Sequence, residues 1–425
     1  MRKTLSTLIL SIITLVAIAQ PNKFVFKAHA IGGEVIPINQ TLKSINPSST
    51  LGGELAIEFP SWGEYPWQQY LGEPTLGVGF VGLNLGNNNI LGQTFALYPY
   101  LLIDIVQLKH FELKWKGGVG LSFFNKTYNR VYKEYNEETI PNWSYYGPYC
   151  NNLIGSIVNV YITTGAHFNF PIKKGFSINA DFGYMHMSNG SVLQPNGGIN
   201  MLYATIGASY KLEREQAHCE NNNKEKFPPL PYKWSINITG SGGYRELYYR
   251  DNKGYGIASL HTGATYNICN WYALGGSFDV FYDGVFNPNT KFGRYILDDN
   301  IANLFRVAVS VNNEFKVGRI TTILDWGIYL YDPIKLAYKD KEGNKYEKRP
   351  ILYKYNIEKE DGWNYFRLGL RCRVWDNLYI QTAVKTHLSK AEMIEWGIGY
   401  QIPFKKKENR NSLFNEFSGW EIYHQ

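Results

Sequence analysis

Phe305-Arg306-Val307-Ala308-Val309-Ser310-Val311-Asn312-Asn313-Glu314-Phe315-Lys316 separates into two rows. Phe305, Val307, Val309, Val311 and Phe315 form an oily row, and Arg306, Ala308, Ser310, Asn312, Glu314 and Lys316 a polar one. Side chains alternate across a β-strand, so a period of two makes this an extended segment with one apolar and one polar face. The same alternation recurs at Ile394, Trp396, Ile398, Tyr400, Ile402 and Phe404, an aromatic-rich segment near the end of the chain. The pattern fits a strand whose oily row faces lipid and whose polar row lines a barrel interior.

Working outward, strands are expected over 233–249, 254–269, 270–285, 303–318, 319–333, 363–377, 378–390 and 391–404. Tight connections at Asn270, Gly318 and Asp376-Asn377 alternate with longer ones at 286–302 and 334–362, as periplasmic turns alternate with external loops in outer-membrane barrels. The inward rows carry Arg367, Arg371, Arg373, Asp325, Lys385 and Glu395, charges that fill a narrow barrel by pairing with one another. The first half repeats the plan at 33–40, 51–60, 74–86, 89–105, 110–125, 152–168, 174–188 and 198–212, with no helix expected to interrupt it. The fold class is therefore all-β, an antiparallel outer-membrane barrel protein. Its two repeated units of about eight strands form either tandem small barrels or one merged barrel of about sixteen.

Composition agrees. The 425 residues are 16% aromatic and only 19% charged, with 41 Gly and 18 Pro, which excludes a disordered chain. Beyond the first 20 residues there is no apolar run of the roughly 18 residues that a spanning helix needs. The mean hydropathy of −0.30 is what two opposed faces sum to. Met1-Arg2-Lys3, the apolar stretch Leu5 to Ile18 and Ala17-Ile18-Ala19 read as a signal peptide over 1–19. Residues 20–212 are the first barrel unit, 213–232 a polar, proline-rich periplasmic linker, 233–404 the second unit and 405–425 a polar tail. Cys150, Cys219, Cys269 and Cys372 are too widely spaced for a zinc or redox motif, although Cys219 and Cys269 both fall on the periplasmic side. The net charge of +7 is scattered apart from Lys405-Lys406-Lys407, which argues against nucleic acid as a partner.

One place breaks the oily row. Counting back by twos from His186 gives Tyr184, Phe182, Ala180, Ile178 and Phe176, so His186 and Ser188 point outward; Asn200 shares a row with Leu202, Ala204 and Ile206 and points outward too. Polar groups on a lipid-facing surface cost free energy unless paired, though little at the membrane interface, so interfacial decoration is the plain alternative. Ser188 as nucleophile, His186 as base and Asn200 as its orienting partner form instead the logic of a hydrolytic triad. Backbone amides near Gly190 and the side chains of Asn189 and Asn196 are the candidates for oxyanion stabilisation or support. No metal or other cofactor is expected, and no acidic cluster in this hairpin marks a calcium site. In the second unit His387 and Ser389 point inward, and with Glu395 they are expected to join a structural network containing Arg371 and Lys385.

Asn152-Leu153-Ile154-Gly155-Ser156-Ile157-Val158-Asn159, His186-Met187-Ser188-Asn189-Gly190 and Gln194-Pro195-Asn196-x-Gly198-x-Asn200 resemble the acyloxyacyl hydrolase group related to lipid A 3-O-deacylase, over about residues 50 to 212. The resemblance implies an outer-membrane serine esterase acting on an ester-linked acyl chain of lipid A, with His186 and Ser188 as base and nucleophile. The best-known deacylases carry Glu where this chain has Asn200. In that position Asn makes the site similar to outer-membrane phospholipase A, so another membrane acyl lipid is the alternative substrate. A non-catalytic structural or adhesin barrel is the third reading.

Overall fold

The computed structural model describes residues 23–37, 39–63, 65–213, 232–247, 253–287, 301–333, 350–355, 362–387 and 390–405. The signal-peptide reading lies outside these residues, as do most of the 213–232 linker and the tail, together with Cys219 and Ser389. Sixteen strands form two closed antiparallel barrels of eight. The first contains β1 (Lys23–Val35), β2 (Thr50–Pro60), β3 (Thr75–Asn84), β4 (Gln93–Leu108), β5 (Phe111–Phe124), β6 (Val158–Lys173), β7 (Phe176–Ser188) and β8 (Ile199–Glu213). The second contains β9 (Tyr232–Glu246), β10 (Gly254–Asn267), β11 (Tyr272–Asp283), β12 (Phe305–Val317), β13 (Ile320–Tyr331), β14 (Asn364–Arg373), β15 (Leu378–His387) and β16 (Lys390–Lys405). β1 pairs with β8, with Ala28 opposite Ala208, and β9 pairs with β16, with Gly240 opposite Ile398. Each ring thus satisfies its own backbone and leaves no edge strand to hydrocarbon. Of the two expected arrangements, the tandem one is found.

Five elements depart from expectation. The first strand runs over Lys23–Val35 rather than 33–40. Asn39 then caps α1 (Gln40–Ile45), its side chain accepting the Leu42 N–H. Two further short helices, α2 (Pro66–Tyr70) and α3 (Tyr128–Glu134), also interrupt the strands. All three are one or two turns long, too short to show a 3.6-residue period in sequence. Finally, β6 begins at Val158, because Asn151 turns its side chain onto the backbone N–H groups of Leu153 and Ile154 and holds that segment out of the sheet.

The two faces are as the alternation implies. Phe182, Leu202 and Ile206 of the first barrel and Val311, Trp396 and Ile398 of the second are exposed on the outside. Val311 is central in β12, so Val311→Arg is expected to destabilise the second barrel by about 2 to 4 kcal/mol, read from denaturant unfolding in lipid vesicles.

Both interiors are packed with ion pairs. In the first, Lys116 reaches Glu54 and Asp181, each at 3.1 Å, and Lys27 bridges Glu58 at 2.6 Å and His167 at 3.0 Å. Tyr100 lies across the interior and donates to Glu58 at 2.8 Å; Gly77 permits this, since a Cβ there would fall 2.3 Å from the ring. His29, Glu54 and Asp181 lie close enough together to suggest a metal cage, but the Lys116 ammonium already supplies the positive charge between the two carboxylates.

In the second barrel Arg367 meets Glu395 at 2.7 Å, Asp279 at 2.8 Å and Asp325 at 3.4 Å. The expected linkage of Glu395 to Arg371 and Lys385 is therefore corrected: Arg371 pairs with Glu314, and Lys385 with Glu392 at 2.6 Å. The cause is a bulge. Lys385 is opposite Met393 but Thr386 is opposite Ala391, and the extra residue, Glu392, is buried in the interior, where it also meets His387 at 2.7 Å.

Candidate active site

The β7–β8 connection, residues 189–198, leaves the barrel at the end that also carries the long 125–157 connection. β7 and β8 pair so that His186 stands directly opposite Asn200. Ser188 lies two residues further along β7, on the same outward row. The expected trio is brought together: His186 Nδ1 is 2.7 Å from Asn200 Oδ1, and His186 Nε2 is 2.9 Å from Ser188 Oγ. An amide oxygen only accepts, so Nδ1 carries the proton and Nε2 is left to accept from the serine hydroxyl. Tyr184, the next residue back on the row, donates its hydroxyl to the same Asn200 oxygen. That oxygen therefore has two donors converging on it, which fixes the amide orientation and, through it, the imidazole.

The loop above is built as tightly as the strands below. Asn189 receives Asn196 Oδ1 on its backbone N–H at 2.9 Å, and its side-chain NH2 donates to Ser156 Oγ at 3.0 Å and to the Leu193 carbonyl at 2.9 Å. Asn189 thus organises the loop, its donors already engaged. The Gly190 N–H and the Asn196 side-chain NH2 have no partner among the described residues.

The Asn152–Ser156 segment is the floor of this loop. Gly197 and Gly198 donate their N–H groups to the carbonyls of Asn152 and Leu153 at 3.2 and 3.0 Å. At Gly155 an added Cβ would sit 2.6 Å from the Pro195 carbonyl oxygen, and Gly198 has φ +68°, so both positions demand glycine. Ser188 itself is only 8% exposed, while His186 and Asn200 are half-buried. The Ser188 hydroxyl is therefore withdrawn from bulk water at the rim of a lipid-facing wall.

Two family profiles match the chain. Residues 51–209 match lipid A 3-O-deacylase (PagL), and residues 234–348 and 351–406 match the acyloxyacyl hydrolase C-terminal domain. Together they span both barrels. The lipid A 3-O-deacylase profile thus covers the first barrel and the acyloxyacyl hydrolase profile the second. The protein is an outer-membrane lipid A deacylase, an acyl hydrolase acting where its substrate resides.

Solved structures similar to this deacylase include the outer-membrane enzyme PagL, at 18% identity over 44% of this chain and 99% of that one, with a TM-score of 0.26. Neisserial surface protein A matches at 10% identity over 45% of this chain and 97% of that one, also with a TM-score of 0.26. No curated protein matches by sequence.

The second hairpin of the deacylase is different in kind. His387 faces inward, with Nδ1 donating to the Asn364 carbonyl at 2.9 Å and Nε2 against Glu392. It is a member of the interior charge network. Two features of the first site were not singled out from sequence. Tyr184 was legible as the next residue on the outward row, whereas the role of Ser156 depends on a loop packing that no periodicity encodes.

Proposed function

We propose that the first barrel is a serine esterase that hydrolyses an ester-linked acyl chain of lipid A, with Ser188 as nucleophile, His186 as general base and acid, and Asn200 as the residue that orients His186. The observation that carries this is the continuous Asn200–His186–Ser188 hydrogen-bonded relay on a surface otherwise apolar. Ser188 Oγ attacks the ester carbonyl while His186 Nε2 takes its proton; the alkoxide leaving group on the sugar then receives that proton as the acyl-enzyme forms. Water, deprotonated by the same nitrogen, hydrolyses the acyl-enzyme and regenerates Ser188. The positive charge on the imidazole is met by the Asn200 oxygen, which Tyr184 already polarises. For the oxyanion, the Gly190 N–H and the Asn196 side-chain NH2 are the donors left unspent near Ser188.

The outward placement suits the substrate. A lipid embedded in the leaflet reaches the site laterally, its acyl chain lying on Phe182, Tyr184 and Leu202 and its sugar at the loop level. Mass spectrometry of lipid A and free fatty acid from cells expressing the protein tests this reading. Loss of one acyl chain from lipid A with the matching fatty acid released is expected; fatty acid released from phospholipid with lipid A intact selects a phospholipase instead.

Within the relay, Asn200→Ala is expected to lower kcat by about tenfold, the worth of one well-placed hydrogen bond. Tyr184→Phe should cost less than that, and His186→Ala far more. Equal rates for Asn200→Ala and wild type, measured by fatty acid release, remove Asn200 from the site.

A further inference from the structure

The catalytic loop of the first barrel is not held by the first barrel alone. Its apex lies on the end of the second barrel where β9 finishes and β16 begins. Ser191 Oγ donates to the Ala391 carbonyl at 2.5 Å, and the Glu246 N–H donates to the Ser191 carbonyl at 3.1 Å. Glu246 then accepts the backbone N–H of Gln194 on its carboxylate at 2.8 Å, and its own carbonyl receives the Gln194 side chain at 3.4 Å. Gly190 presses against Ile394 so closely that a Cβ would stand 2.3 Å from the isoleucine Cγ1. Ile394 is buried although it belongs to the outward row of β16, because this loop covers it. At the opposite end of the strands Trp67 of α2 packs beside Gly318, so the barrels also touch there.

We propose that the second barrel is a positioning element of the active site, with Glu246 and the Ala391 carbonyl clamping the 190–194 apex so that Gly190 stays aligned over Ser188. This rests on the Ser188 esterase reading and extends it. The covalent path is short. Gly190 follows Ser188 by two residues and Ser191 by three, and Asn189 between them is already fixed by Asn196 and Ser156. The clamp therefore sets the last free part of the loop, which carries the Gly190 N–H offered to the oxyanion. A donor that drifts by about 1 Å loses much of its transition-state contribution, with losses of up to about a hundredfold. The substrate's acyl chain, by contrast, lies along β7 and β8 below the loop, so the clamp acts on turnover rather than on binding.

The test uses the full-length protein, folded in detergent, with lipid A as substrate. Glu246→Ala and Ser191→Ala are each expected to lower kcat by about tenfold or more while KM stays within about twofold. Glu246→Gln keeps an oxygen for the Gln194 N–H and is expected to retain most of the wild-type kcat. Heat-modifiable gel mobility confirms that each variant keeps both barrels, and Ser191→Ala, which removes one hydroxyl from a loop, serves if Glu246→Ala does not fold. Wild-type kcat in folded Ser191→Ala and Glu246→Ala overturns the clamp alone. A rise in KM at unchanged kcat overturns it too, assigning the contact to substrate binding. Activity surviving in Ser188→Ala overturns the clamp together with the esterase reading beneath it.

Discussion

Ser188→Ala is expected to lower lipid A deacylation on the order of 10⁴-fold or more, with no change in barrel stability. The size follows from what the residue supplies. Without Oγ there is no acyl-enzyme, and the remaining route is direct attack by water on an ester held in the same place. His186 and the loop donors remain, so a residual rate above the uncatalysed one persists. His186→Ala should fall nearly as far, and the double variant hardly further, because the two act as one unit. Stability is unaffected because, among the described residues, the Ser188 hydroxyl bonds only to His186 at the rim, whose other nitrogen keeps its Asn200 contact. Steady-state kinetics of fatty acid release, beside thermal mobility shifts on gels, separates the two effects.

The second large effect lies far from the chemistry. Arg367 is fully buried in the second barrel and faces Glu395, Asp279 and Asp325, while Tyr365 also donates to Asp279 at 2.9 Å. Arg367→Ala leaves three buried carboxylates without their shared cation, only Asp279 keeping an imidazole, that of His261 at 2.9 Å. A loss of about 3 to 5 kcal/mol is expected, the usual range when one partner of a buried ion pair is removed. Urea unfolding of the full-length protein in lipid vesicles measures it. Arg367→Met combined with Glu395→Gln and Asp279→Asn should recover much of that loss, since those changes remove the two nearest of the three stranded charges with the cation. If the single variant is as stable as wild type, the interior is wetter than its packing indicates.

The barrel fold was legible because lipid and interior impose opposite chemistry on alternate residues. Phe305 to Lys316 shows it without interruption, and β12 matches that segment closely. β1 was hard to place for the same reason inverted: its outward residues include the small Ala28 and Ala30, and Gly32 and Gly33 follow, so the contrast between rows is faint. The Asn152–Ser156 segment carries a recognisable motif but is not strand, because its work is to receive the N–H groups of Gly197 and Gly198. Parity alone placed His186, Ser188 and Asn200 on one outward patch, and strand register then made His186 and Asn200 neighbours. Interior pairings were less accessible. Arg367 meets Asp279 from three strands away and Glu392 is buried through a bulge, neither of which a local pattern can show. The contact of Ser191 and Gln194 with Glu246 is more remote still, joining two separately closed barrels.

The central claim, that Ser188 is the nucleophile, is tested most directly by covalent capture. A long-chain alkyl fluorophosphonate mimics the acyl chain and the tetrahedral centre; Ser188 Oγ displaces fluoride and His186 takes the proton. Digestion and mass spectrometry of the labelled, folded protein should find one adduct, on Ser188, formed slowly or not at all in His186→Ala. Active protein that carries the adduct on another residue, or stays unlabelled at Ser188 while its activity is lost to the reagent, contradicts the account.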